Sequence, residues 1–132
     1  MAREFAPRTH FVHLRSCHIF PDGNFTEASH LGGRADLIEL TRIFEKEEQT
    51  RQSSQSQTTK RPVTQTTRLP MRVDHGMTFT DEPGGVFDES SHGHNAGYTL
   101  LGRMFALAQV QGIIATVDRE LGIEYKQPGF FG

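Results

Sequence analysis

The chain has only one cysteine, Cys17, among its 132 residues, so it cannot contain an internal disulfide. A lone thiol is typical of a reducing compartment, and we expect a cytoplasmic protein. An excess of one charge is also absent: the formal net charge is −2, which gives no electrostatic reason to expect nucleic acid or an anionic membrane as partner. We expect no apolar run of membrane-spanning length, and the first residues carry no apolar signal core.

What the sequence does contain begins with a short run of alternating character at residues 9–16. Val12 and Leu14 share one face of an extended chain, because side chains alternate with period two. The polar residues of this run fall on the other face: His13, Arg15 and Cys17. The run predicts a β-strand with apolar residues outward and polar residues inward, as in a barrel wall that helices cover.

A second short strand is predicted at residues 70–76, and it ends in Asp74, His75 and Gly76. The Asp-His pair has three interpretations: a metal ligand beside an acid–base histidine, part of a nucleophile triad, or a structural hydrogen-bonded pair. Successive strand residues point to opposite faces, but a turn at Gly76 would bring both side chains to one pocket. No serine lies in a Gly-x-Ser-x-Gly context, which argues against a serine triad.

Two helices are predicted, each following one of these strands. The first covers about residues 35–48, begins with Asp36 in its first turn, and has an apolar stripe. The stripe is formed by Leu37, Ile38, Leu40, Thr41 and Phe44. The second covers about residues 99–121 and stops at Gly122. Its predicted apolar face is formed by Leu100, Leu101, Met104, Phe105, Leu107, Ala108, Ile114 and Val117.

The remaining stretches have turn or loop composition. Residues 20–25 predict a turn from Pro21, Asp22 and Gly23. Residues 49–69 are rich in Gln, Ser and Thr, and this polar stretch predicts a mobile loop. The order strand, helix, strand, helix predicts an α/β fold that is the βαβα end of a larger barrel. Such a portion is incomplete on its own, because a two-stranded unit has too little support.

Four ordered segments resemble the carboxyl-terminal part of D-mannonate dehydratase, the UxuA-type sugar-acid dehydratase. The resemblance runs from about Thr9 to Gly122, so residues 1–132 are expected to form that part of the barrel. The segments are His10–Arg15, Phe25–Gly33, Pro70–Gly76 and Gly97–Arg103. The resemblance implies a (β/α)₈ TIM barrel of the xylose-isomerase-like kind. It also implies dehydration of D-mannonate to 2-dehydro-3-deoxy-D-gluconate, a step of hexuronate breakdown, with Mn²⁺ or Fe²⁺ as cofactor.

The resemblance assigns roles to six residues of this chain. His13 and Asp74 match metal ligands, and His75 and Tyr98 match the residues implicated in proton transfer. Which of the latter two is acid and which is base stays open. Arg15 and His30 are candidates either for substrate binding or for holding the residues of the site in position. A metal beside the substrate carboxylate would stabilise the charge that proton removal creates.

A departure from the family pattern concerns the metal site, which in the family also uses earlier barrel residues that include a cysteine. Cys17 follows His13 instead of preceding it, so it does not match that ligand. We therefore expect a fragment that is inactive alone and needs the upstream barrel portion or a homo-oligomer. Two alternatives stay open: a non-catalytic barrel remnant that associates with itself or another barrel, and a related metal-dependent sugar isomerase.

Overall fold

The computed structural model of this chain describes residues 1–56, 69–77 and 100–124, without the side chains of residues 55 and 56. The chain forms a mixed α/β structure, and the predicted order of strand, helix, strand and helix is present. In chain order its elements are α1 (Ala2–Phe5), a 3-10 helix (Ala6–Arg8), β1 (Val12–Leu14), β2 (Cys17–Ile19), β3 (Phe25–Glu27), α2 (Leu37–Ser56), β4 (Met71–Val73) and α3 (Leu100–Leu121).

Strands β1 and β4 pair in parallel, with α2 in the connection between them. His13 lies opposite Arg72 in the register, and the amide of Asp74 donates to the carbonyl of Leu14 at 2.9 Å. Val12 and Leu14 are buried whereas His13 is exposed, which confirms the predicted faces of the first strand. The core lies on the apolar side of this pair. Its buried members are Ala6, Val12, Leu14, Leu37, Phe44, Leu69, Val110, Ile113 and Val117.

Strands β2 and β3 form an antiparallel hairpin that the sequence analysis does not predict. The turn between them is confirmed: the amide of Asn24 donates to Oδ1 of Asp22 at 3.0 Å, and Gly23 has a φ of 89°. Positive φ is the conformation for which glycine has no steric penalty. The hairpin brings Glu27 opposite Cys17, and so returns β3 to the end of β1.

Helix α2 begins as predicted, because Oδ1 of Asp36 accepts the amide of Glu39 at 2.9 Å and caps the first turn. Leu37, Thr41 and Phe44 are buried, as the predicted stripe requires. Ile38 is 38% exposed, so its place in the stripe is wrong. It is adjacent to Leu37 in sequence, and therefore about 100° away around the helix.

The end of α2 differs from the prediction. The helix continues to Ser56, through the first part of the stretch predicted as a mobile loop. Polar contacts stabilise this part: Nε of Arg51 bonds Glu47 at 2.9 Å, and Nη2 of Arg51 reaches the carbonyls of Ala6 and Thr9. Leu69, the last residue of the predicted loop, is buried, and residues 57–68 lie outside the described part.

Helix α3 has the predicted bounds within one residue, and Gly122, with a φ of 70°, follows its end. Its buried face is different from the predicted one. Five members of the predicted face are between 39% and 73% exposed: Leu100, Leu101, Met104, Phe105 and Leu107. Val117, a member of the predicted face, is buried as predicted, and Ile114 packs partly buried against the core. The other buried residues of α3 are Gly102, Ala106, Val110, Ile113 and Asp118. The helix is apolar on several sides near its start, so periodicity alone does not select the side that packs.

By length and composition alone, α3 is able to cross a membrane, since its 22 residues include a window with a mean hydropathy of 1.4. The expectation that no apolar run reaches this length therefore does not hold. The core helix of a globular protein passes the same test, which makes this property weak support for membrane insertion. Here α3 contacts α2 and contributes Val110, Ile113 and Val117 to the core.

Candidate functional site

The parallel pairing of β1 and β4 brings His13 and Asp74 together at one end of the sheet. Asp74 follows β4 directly, and period two places it on the same face as Arg72 and His13. Nδ1 of His13 lies 4.0 Å from Oδ1 of Asp74. The side chain of His13 is 44% exposed and that of Asp74 is 22% exposed, so both are accessible from solvent.

These two side chains have the separation of donors that share one metal ion. With bonds of about 2.1 Å, two donors on one ion lie between about 3 and 4.2 Å apart. An imidazole and a carboxylate are also donors that manganese and ferrous iron accept. In residues 1–56, 69–77 and 100–124, however, no group of three or more His, Cys, Asp or Glu side chains is placed to hold a metal. The described residues thus fit part of a metal site.

His75 has the left-handed backbone conformation, with a φ of 59°. This is uncommon for a residue other than glycine, although histidine is among those enriched there. This backbone conformation directs the ring of His75 towards Asp74, and Nε2 of His75 lies 3.9 Å from Oδ1 of Asp74. The two side chains do lie beside each other, but the reversal occurs at His75 itself and not at Gly76 as expected.

Glu27, at the end of β3, is part of this cluster and was missed by the sequence reasoning. Its side chain is 6% exposed, and Oε1 lies 3.3 Å from Nδ1 of His75. The same carboxylate accepts two hydrogen bonds from Arg15, from Nη2 and, at 3.2 Å, from Nε. Glu27 lies in one of the four family-like segments, which was the available signal. With three residues, β3 is too short for its alternation to indicate a face.

Arg15 is held between Glu27 and the ring of Phe25, whose centroid is 5.3 Å from the guanidinium carbon. The hydrogen bonds to Glu27 raise the pKa of Arg15 above its ordinary value, so the guanidinium stays charged. Burial, and then the charge of Glu27, raise the pKa of the Cys17 thiol. The side chain of Arg15 remains 31% exposed, which leaves part of it accessible to an anion.

His30 is 1% exposed and lies behind the end of β1. Its Nε2 is 2.8 Å from the carbonyl oxygen of Leu14, the same oxygen that accepts the amide of Asp74. The backbone amide of His30 donates to Oε1 of Gln109 on α3 at 2.8 Å. Two roles were considered for His30: contact with a substrate, and support of the residues that form the site. Its buried position favours the second role.

The predicted site residue Tyr98 lies outside the described residues. The assignment of Tyr98 to proton transfer therefore stays a prediction. A cleft of about 540 Å³ lies at the opposite end of β4, near Met71, and is lined partly by Glu48 and Asp118. None of the six predicted site residues lines it.

Comparison with known proteins identifies the family of this chain. A model of the family D-mannonate dehydratase (UxuA) matches residues 1–124. Mannonate dehydratase 2 of Agrobacterium fabrum is 36% identical over 121 residues, which cover 92% of this chain and 26% of that protein. The mannonate dehydratase of Saccharophagus degradans is 35% identical over 118 residues, with 89% and 26% covered. That of Brucella canis is 34% identical over 119 residues, with 89% and 25% covered.

The matched region contains every element that the structure describes, together with the cluster of His13, Glu27, Asp74 and His75. The chain spans about a quarter of the length of the curated relatives that it matches. The resemblance of the four ordered segments is confirmed by the family match over nearly the whole chain. This chain belongs to the D-mannonate dehydratase family.

Proposed function

We propose that this chain is the carboxyl-terminal portion of a metal-dependent D-mannonate dehydratase and supplies part of its active site. One observation carries the proposal: a single carboxylate oxygen of Asp74 lies 4.0 Å from His13 and 3.9 Å from His75. The two predicted ligands and a predicted proton-transfer residue thus converge on one point. Family membership supplies the reaction class.

The complete protein, in this proposal, is a (β/α)₈ barrel. The unit β1–α2–β4–α3 has the parallel pairing expected of two consecutive barrel strands. Arg15, Asp74 and His75 follow the carboxyl ends of these strands, and His13 lies within β1. Active sites of such barrels are built at that end. A barrel needs roughly 250 residues, so further strands have to complete both the wall and the site.

The reaction removes water from D-mannonate. A base takes the proton from the carbon next to the carboxylate, and the electron pair of that bond forms a double bond to the next carbon. The hydroxyl on that next carbon leaves as water after an acid protonates it. The resulting enol gains a proton on that next carbon and loses the proton of its hydroxyl group, which gives the 2-oxo group of 2-dehydro-3-deoxy-D-gluconate.

Each described residue has a task in this scheme. Nδ1 of His13 and Oδ1 of Asp74 would hold Mn²⁺ or Fe²⁺, which when bound supplies positive charge beside the substrate carboxylate. The imidazole of His75 accepts or returns a proton at the nitrogen that faces Asp74. The exposed part of Arg15 attracts and orients the anionic substrate. Tyr98 is the second proton-transfer group by resemblance alone.

The test compares the isolated chain with a chimera. In the chimera, this chain replaces its matched segment in the Agrobacterium fabrum mannonate dehydratase 2. With D-mannonate and Mn²⁺, we expect little or no 2-oxo acid from the chain alone and clear turnover from the chimera. An Asp74→Asn chimera is the matched control, and it should fold equally well yet lose activity and bound manganese.

Two results would contradict the proposal. A chimera that folds and binds manganese but makes no product would remove the assigned activity. Strong turnover by the isolated chain would instead show that the barrel portion is not needed. Product analysis with aldoses separates dehydration from the isomerase alternative. The proposal also includes a cytoplasmic location, without nucleic-acid or membrane partners. Fractionation of cells that express the chain checks this.

A second candidate is a non-catalytic remnant of the barrel that persists by association with itself or with another barrel. The observation that favours it is the exposure of Leu100 and Met104, which are 73% and 58% exposed on α3. Contiguous exposed apolar side chains of this kind are typical of surfaces that another chain covers. This candidate predicts association without turnover, even in the chimera.

A further inference from the structure

The side chain of Gln109, on α3, has no task in the reaction scheme above, yet it is hydrogen-bonded to the segment that lies behind the candidate site. Its Oε1 accepts the backbone amide of His30 at 2.8 Å. Gln109 is half-buried, and the two residues are 79 positions apart in the chain. The bond therefore ties α3 to the loop that follows β3.

His30 continues this connection to the end of β1. Its Nε2 lies 2.8 Å from the carbonyl oxygen of Leu14, and because a carbonyl oxygen only accepts hydrogen bonds, Nε2 is the donor. The same oxygen accepts the amide of Asp74 at 2.9 Å. Three hydrogen bonds thus form a continuous path from Gln109 to the backbone of Asp74. His30 is 1% exposed, so water has little access to replace its part of the path.

The same side of α3 also contacts the chain just after β4. The backbone of Gly102, in the first turn of the helix, packs against Gly76. Gln109 follows Gly102 by seven residues, which is about two turns, so both lie on one side of the helix. The contact at Gly102 holds α3 beside the end of β4, and the contact at Gln109 connects it to the end of β1. The helix therefore links the two strand ends.

The relative position of these strand ends decides the geometry of the two predicted metal ligands. His13 lies in β1 and Asp74 directly after β4, with 4.0 Å between Nδ1 and Oδ1. This separation is close to the upper limit of about 4.2 Å for two donors on one ion, so a small outward movement of Asp74 would exceed it. Replacing residues that hold metal ligands from behind typically weakens metal binding by about 10–100-fold.

We propose that Gln109 is a positioning residue, which acts through His30 and the carbonyl of Leu14 to hold Asp74 at its separation from His13. The consequence for metal binding and turnover rests on the proposed function. The hydrogen-bonded path from α3 to the backbone of Asp74 does not depend on that function.

The path is tested on the isolated chain by amide hydrogen exchange, measured by NMR without metal. Gln109→Met keeps the length of the side chain but removes the acceptor for the His30 amide. We expect the amides of His30 and Asp74 to exchange several-fold faster in this variant. The amide of Val12 donates to the carbonyl of Pro70 at the other end of the same strand pair, and its exchange should not change. A general loss of stability would instead accelerate all three amides alike.

Two further variants serve as controls. Gln109→Glu keeps an acceptor oxygen at the position of Oε1, and should restore slow exchange of the His30 and Asp74 amides. Gln111→Met is the matched control, because Gln111 is on the same helix but lines the cleft at the opposite end of β4. It should leave the exchange of both amides unchanged.

The chimera measures the effect on the metal. Manganese binding is followed by the electron paramagnetic resonance of free Mn²⁺, without substrate. Gln109→Met should weaken binding by about 10-fold and raise the Mn²⁺ concentration for half-maximal turnover by the same factor. Its kcat at saturating Mn²⁺ should change little, because the residue touches neither substrate nor metal. Gln109→Glu and Gln111→Met should both bind manganese as the unsubstituted chimera does.

Equal acceleration of the three amides, or an Asp74 amide that keeps its rate, overturns the proposal. Unchanged manganese binding by the Gln109→Met chimera overturns it as well. If Gln109→Met unfolds the isolated chain, the manganese titration of the chimera decides, because further strands support the sheet there. An unsubstituted chimera that binds manganese but makes no product contradicts only the proposed function.

Discussion

The backbone of Gly76 lies directly against the backbone of Gly102. A Cβ atom built on Gly76 would be 2.5 Å from the carbonyl oxygen of Gly102 and 3.1 Å from the amide nitrogen of Arg103. Real Cβ atoms do not approach backbone this closely, so the start of α3 can sit beside the end of β4 only when residue 76 has no side chain. This contact fixes the helix next to Asp74 and His75.

Gly76→Ala should therefore destabilise the chain by about 1–3 kcal/mol, the usual cost of forcing a methyl group into a packed region. Gly112→Ala is the control within α3, because nothing lies within 4 Å of its Cβ position. It should stabilise the helix by about 0.5–1 kcal/mol through propensity. Urea unfolding of both variants measures the difference. Equal effects of the two substitutions would show that the close approach does not exist in solution.

His30→Ala should lower the free energy of unfolding by about 1–3 kcal/mol, because it removes a buried hydrogen bond to the Leu14 carbonyl and leaves a cavity. His18→Ala is the control, since His18 is exposed on the hairpin, and a change within about 0.5 kcal/mol is expected there. Urea unfolding again provides the measurement. If the two variants are equally stable, His30 does not support the end of β1.

Part of the stability should depend on pH through Glu39. Hydrogen bonds from Arg42 and then Arg3 lower the pKa of this carboxyl below 4.5 in the folded chain. The unfolded chain therefore binds the proton first as the pH falls. The stabilisation is complete above pH 4.5 and is lost as the pH drops through the lower, folded value.

Urea midpoints of the wild type and Glu39→Gln, measured from pH about 7 down to about 3, check this dependence. The wild type should be the more stable above that window, and the difference should vanish below it. Because Glu39 is on the surface, added salt should reduce the difference too. A difference that grows as the pH falls would contradict the assigned direction.

The exposed apolar residues of α3 should make the isolated chain associate as its concentration rises. Met104→Lys should reduce this association, because a charge at a residue 58% exposed opposes burial of the surface. Thr116→Lys adds the same charge at an exposed polar position of the same helix and should have little effect. Light scattering at several concentrations measures both. A wild-type chain that stays monomeric throughout would exclude the self-associating alternative.

Local signals in the sequence predict much of this fold. The alternation of Val12, His13 and Leu14 indicates a strand and its two faces, because side-chain direction in a strand depends only on parity. Gly122 marks the end of α3 for a similarly local reason, its positive φ. The resemblance assigned His13 and Asp74 to one metal, and the parallel pairing of β1 and β4 brings them to within 4.0 Å of each other.

Contacts between distant segments were not predictable in the same way. The approach of Glu27 to His75 depends on a hairpin whose strands have three residues each, too few to show a period. The buried side of α3 is likewise decided by Gly102, whose small size allows it to reach Gly76. By hydrophobicity alone, Leu100 and Met104 would be buried before Gly102. A periodic pattern contains no information on how closely two backbones approach, so it does not identify Gly102 as the buried residue.

The parallel pair of β1 and β4 has two free flanks, since within the described ranges neither strand pairs with a third. Each flank presents a row of amide and carbonyl groups without strand partners. In a closed barrel, adjoining strands would occupy both rows. In a solution of the free chain, an extended segment of another molecule can occupy them instead. A low protein concentration should therefore keep more of this chain in solution.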